Sequence, residues 1–95
     1  MGQAMSFEHL FRHLDEEAQK ILQTLAIYGR SVTPRAVSHV LRPFLPHLDS
    51  IRAEGRLEQL ANDYPSVVRR EHGQYALGEA EARLVLSTIE LGEPS

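Results

Sequence analysis

A mainly α fold carrying one small β-hairpin is what this sequence predicts, and three observations carry the prediction. Apolar residues recur at helical spacing through most of the 95-residue chain. Helix starts and stops are written in place: Thr33-Pro34 and Asp49 as starts, Gly29, Pro43, Pro46 and Pro65 as stops. The run Val67 to Leu77, with His72-Gly73 at its middle, alone reads as two strands and a turn. A helix from Asp49 to about Asp63 running at once into a β-ribbon is the back half of a winged helix-turn-helix. The rest of the chain is expected to be organised around that stretch, Asp49 to Leu77.

One domain, 6–91, is expected between a disordered tail, 1–5, and a second tail, 92–95. Ser6 can cap a short helix whose Phe7, Leu10, Phe11 and Leu14 share a face. That face is expected to pack on the core, with a dimer contact through Phe7 and Phe11 as the weaker reading. Asp15 is the expected N-cap of the next helix, with Glu16 and Glu17 in its first turn, where carboxylates suit the dipole. Ala18, Ile21, Leu22, Leu25 and Ala26 form its inner stripe, and Gly29 is placed to end it. Val32 reads as a short extended residue.

Thr33 caps the following helix, and Pro34 at its first position wastes no amide hydrogen. Ala36, Val37, Val40 and Leu41 are its expected inner face, and Phe44, Leu45 and Leu48 are expected to plug the core from the proline-bounded turn. The helix capped by Asp49 has Ile51, Leu57, Leu60, Ala61 and Tyr64 as apolar positions. Gly55 in its middle suggests a close helix contact or a local break. In the hairpin, Val68, Tyr75 and Leu77 share the buried face by alternation. Gly78 breaks the strand, and a last helix from Glu79 to about Leu91 turns Ala82, Val85, Leu86 and Ile89 inward.

Composition narrows the function classes. There is no cysteine, hence no disulfide framework, thiolate metal site or cysteine nucleophile. No apolar run approaches the roughly 18 residues that span a bilayer, and no signal-peptide pattern is seen, so a cytoplasmic protein without a membrane partner is expected. The net charge of −3 leans mildly against nucleic acid, although a local basic patch can bind while the whole is acidic. His9 and His13 stand one helical turn apart, but a zinc site needs three or four ligands and no matching pair follows. Glu16-Glu17 and Glu79 with Glu81 are explained as first-turn carboxylates. Ser31, Ser38 and Ser66 lack a nucleophile-elbow context, and no glycine-rich phosphate loop exists. The chain is expected not to be an enzyme.

Nucleic-acid binding is the serious rival. In a winged helix the recognition helix enters the major groove and the wing touches backbone or minor groove. Here Arg52, Arg56 and Gln59 would read or position on the helix, and Arg69, Arg70 and His72 on the wing. Asp49, Glu54, Glu58, Asp63 and Glu71 oppose them, so a solvated mixed-charge face is the preferred reading.

Several runs together resemble one family. They are Leu25-Ala26-Ile27-Tyr28-Gly29, Val32-Thr33-Pro34, Ala36-Val37 and Leu41-Arg42-Pro43-Phe44-Leu45-Pro46. Ile51, Leu57 and Leu60, then Val68-Arg69-Arg70, Tyr75 with Leu77, Leu86 and Gly92-Glu93-Pro94 continue the pattern. Over about residues 10 to 94 the chain resembles the winged-helix domain of bacterial STAND signalling NTPases of the NB-ARC type. The resemblance implies a non-catalytic regulatory module that docks, within its parent protein, on a P-loop ATPase core and a repeat region. In that family a histidine directly after the Tyr-x-Leu strand reaches the nucleotide phosphates, but here the position is Gly78. The acidic-arginine pair that commonly follows is also displaced, since Glu81 is followed by Ala82 and only then by Arg83. The resemblance therefore implies no cofactor-binding residue and no cofactor of this chain's own.

Overall fold

The computed structural model describes the backbone of residues 7–91 and the side chains of residues 9–87. Five helices and one hairpin follow in order: α1 (Phe7–His13), α2 (Glu16–Tyr28), α3 (Pro34–Leu41), α4 (Ser50–Asp63), β1 (Val68–Glu71), β2 (Gln74–Leu77) and α5 (Glu79–Leu91). The expected tails and the Ser6 cap lie outside the described residues, as do the side chains of Phe7 and Ile89.

The ends of the elements follow from local chemistry. Gly29 closes α2 in the left-handed region, φ +67°, and its N–H donates to Leu25 O at 3.1 Å. Thr33 Oγ1 accepts from Ala36 N at 3.2 Å at the start of α3, and Asp49 Oδ1 accepts from Arg52 N at 2.8 Å at the start of α4. Asp15 sits at the N-cap of α2 but makes no cap hydrogen bond there. At the other end of α4, the Tyr64 carbonyl accepts from both Val67 and Val68, turning the chain past Pro65 into β1. The hairpin turn places His72 at φ +53° and Gly73 at φ +76°, the double left-handed geometry whose twist matches an antiparallel pair.

Packing centres on α2, which touches α3, α4, α5 and β2. This corrects the expectation that Asp49 to Leu77 is the organising unit. That unit closes over α2, whose Ala18, Ile21, Leu22, Leu25 and Ala26 are all buried. Val37, Leu57, Tyr75 and Val85 meet them from the surrounding elements. The strands pair antiparallel with Val68 opposite Leu77 and Arg70 opposite Tyr75, so Val68, Tyr75 and Leu77 share the inner face as alternation requires. Val32 extends this sheet by one residue: its N–H donates to Tyr75 O and the Tyr75 N–H donates to Val32 O, both at 2.8 Å.

Several expected core residues are outside. Ile51 is 80% exposed. The inner row of α4 is Ala53, Leu57 and Leu60, with Ala61 and Tyr64 partly buried, and a residue two before Ala53 points to the far side of the helix. Phe44 is 66% exposed and Val40 40%, while Leu48 is buried and Leu45 partly so. Ser38 takes the inner position on α3 beside Val37 and Leu41, its hydroxyl donating to Arg35 O at 3.0 Å. Phe11 is buried, which makes it core and removes it from any exposed dimer contact.

Gly55 marks neither a close contact nor a break. It is exposed in continuous helix, and a Cβ built there meets nothing within 4 Å. Gly55→Ala should therefore raise stability by about 1 kcal/mol through helix propensity alone. A urea titration that shows no rise in midpoint would contradict this account of α4.

Candidate functional site

The residues singled out as a docking or nucleic-acid face do not form one free basic surface. Arg52 and Arg56 on α4 lean across to the start of α2. Arg52 Nε donates to Glu17 Oε2 at 2.9 Å. Arg56 donates through Nη2 to Asp15 Oδ1 and, through Nη1, to Gln59 Oε1 at 3.3 Å. Arg56 Nε also stands 3.0 Å from Glu17 Oε1, close enough for an ion pair but without hydrogen-bond alignment. This is why Asp15 makes no cap bond: its carboxylate is turned to Arg56. Sequence reasoning placed Asp15 and Glu17 in the dipole field of α2 and missed their partners 41 and 35 residues away.

The hairpin divides its cations between two faces. Arg70 lies opposite Tyr75 on the inner face and reaches Glu58 of α4 at 3.2 Å. Arg69 lies opposite Ala76 on the outer face, and His72 is exposed in the turn. Two groups therefore shift. Arg52 is raised above the usual arginine value, first by its hydrogen bond to Glu17 and then by that carboxylate's charge. The Tyr75 phenol is raised above the usual tyrosine value, first by burial and then by the charge of Glu58, with Arg70 acting in the opposite sense.

Gly78 is buried where β2 gives way to α5. Its N–H donates to Val67 O at 2.9 Å and its carbonyl accepts from Ala82 N at 2.8 Å. A Cβ at this position would run into the carboxylate of Glu81, so any larger residue must displace that flexible side chain. A groove of about 590 Å³ beside it has mixed-charge walls, with Arg30, Arg69 and Arg83 beside Glu71 and Glu79. Arg83 is held by Glu79 at 3.3 Å. His9 and His13 stack with ring centroids 4.5 Å apart, and among the described residues no group of three or more His, Asp or Glu converges as metal ligands would. No helix among them is long and apolar enough to cross a membrane.

The structure also exposes Ile27, Val40 and Phe44, which sequence reasoning did not mark as surface. For Ile27 the available signal was its helical phase, off the inner row of α2; Val40 is in phase with Ala36 and Val37, so the sequence carried no such signal for it. Compared with protein-family models, with curated proteins and with solved structures, the chain gives no significant match to any.

Two outcomes follow from this geometry. Glu17 and Arg56 are partly enclosed, with side chains 16% and 24% exposed, so Glu17→Gln should lower stability by about 1–2 kcal/mol and Arg56→Gln by a similar amount. The double variant should lose much less than the two losses added, and strict additivity in urea titrations would refute the coupling. Because folding raises the Tyr75 pKa, its contribution is complete below the unfolded tyrosine value of about 10 and is lost as pH rises beyond it. Tyr75→Phe should therefore flatten the alkaline fall in stability above about pH 10, and an unchanged slope would reject it.

Proposed function

We propose that the chain is a winged helix-turn-helix domain acting as a non-catalytic docking module within a larger STAND-type signalling NTPase. The order α2–α3–α4 followed by the β1–β2 hairpin supports the fold, as does the added pairing of Val32 with Tyr75. The observation that carries the functional reading is the inward commitment of the arginines. Arg52, Arg56 and Arg70 are paired with Glu17, Asp15 and Glu58, and the outer face of α4 that remains carries Ile51, Glu54 and Gly55. Such a face repels phosphate and offers a large apolar side chain instead. Partners in this reading are the ATPase core and repeat region of the parent protein. Gly78 in place of the family histidine makes the module a packing and relay element without a nucleotide contact of its own.

The DNA-binding reading keeps one favourable observation: Arg69 and His72 stand exposed on the hairpin. Fluorescence anisotropy with a mixed-sequence duplex from about 20 to 200 mM salt separates the two. The docking module should show no saturable binding across the series, and should co-sediment with the ATPase core of its parent in one nucleotide state. Micromolar duplex binding that collapses with salt, and that weakens in Arg69→Ala with Arg70→Ala, would replace docking with DNA recognition.

A further inference from the structure

Charge is divided unevenly along this chain. From Ala18 to Leu48 there is no aspartate or glutamate, and Lys20, Arg30, Arg35 and Arg42 give the segment +4. All 13 acidic residues and the other cations lie outside it, which leaves −7 there and −3 for the whole. The segment folds as α2 past Glu17, its turn, α3 and the proline-bounded turn, so the cations of this part of the fold have no acidic residue beside them in the chain. Unlike Arg52, Arg56 and Arg70, these four cations form no ion pair among the described residues.

The same part of the fold carries exposed apolar surface. A groove of about 470 Å³ between α2 and α3 is lined by Thr24, Ile27, Tyr28, Arg30 and Val40. Ile27 is 68% exposed and Val40 40%. Phe44 prolongs the strip: Lys20 Nζ lies 5.7 Å from its ring centroid, which ties the ring to α2 one turn before Thr24. Lys20 thus stands at one end of the apolar strip, and Arg30, just past the Gly29 cap that ends α2, at the other.

We propose that this α2–α3 groove docks an acidic amphipathic helix of a partner protein. The proposal rests on the docking reading above and names its face and the chemistry of its partner. Anchors at i, i+4 and i+7 of the partner helix, about 10 Å along its axis, would meet Phe44, Val40 and Ile27. Carboxylates flanking those anchors meet Lys20 and Arg30, with no acidic residue from this segment to repel them. A second copy paired through the same face would oppose like charges across a two-fold axis. A phosphate backbone would leave the apolar strip unsatisfied.

The test uses the full chain and a labelled helical peptide of about five turns, with leucine on one face at i, i+4 and i+7 and glutamate on the other. A second peptide replaces each glutamate with lysine. The acidic peptide should bind saturably, and the lysine peptide at least about tenfold more weakly. Ile27→Asp with Val40→Asp should lower affinity about tenfold or more. Lys20→Glu with Arg30→Glu should lower it and flatten its salt dependence. These side chains are at the surface, and circular dichroism checks that the fold is kept. Absence of saturable binding, equal binding of both peptides, or indifference to both double variants overturns the proposal. If binding is lost instead with Ile51→Asp or Arg69→Glu, docking stands and this face falls. If only a duplex binds, docking falls as well. Self-association of the chain that is lost in Ile27→Asp with Val40→Asp assigns the groove to a second copy and overturns the partner.

Discussion

Burial of α2 on several sides at once is the constraint on which the rest of the structure depends. Ile21, Leu22 and Leu25 are almost wholly enclosed, and α3, α4, α5 and β2 each exist in place by covering part of this helix. A short hairpin is marginal on its own in water and gains stability only against a helical surface. Here β2 supplies that contact directly, while β1 reaches the helices through α4. The backbone pairing of Val32 with Tyr75 then locks the turn after α2 to the hairpin. Because Tyr75 is buried and in register with Arg70, the same point links hydrogen bonding, packing and the Arg70–Glu58 pair.

Electrostatics divides the molecule into two parts with different uses of charge. On the α4 side, arginines are spent on internal carboxylates and fasten α4 to the start of α2 and to the hairpin. Around α2 and α3, cations have no acidic neighbour in their own segment and border an apolar strip. A chain with net charge −3 can therefore present a positive, partly apolar surface, because net charge is a sum and a surface is a local arrangement.

The helices and hairpin were legible because their signals are local. Thr33-Pro34, Asp49, Gly29 and His72-Gly73 act on backbone within a few residues, and the structure keeps each of them at the position read from the sequence. The stripe of α2 was legible because it is long and strongly periodic. Errors gathered where a helix is short or its apolar pattern is broad. In α3, Val40 and Val37 are both apolar, and only the neighbouring helices decide that Val37 and Ser38 face inward. Phe44 follows two residues that leave the helix, so no period reaches it. Ile51 reads as apolar, yet it lies two residues before Ala53 and so falls on the far side of α4 from the inward row Ala53, Leu57 and Leu60.

By itself, then, the sequence determined the element order, the caps, the turn that takes two left-handed residues, and the acid-free segment from Ala18 to Leu48. Those are properties of neighbouring residues or of plain composition. Only the tertiary structure decided that α2 is the centre, that Asp15 and Glu17 belong to Arg56 and Arg52, and that Ile27 and Val40 line one groove with Phe44 exposed beside Lys20. Each of those outcomes joins residues far apart in the chain, and the rotation of one helix against another that brings them together is set by packing of the whole core.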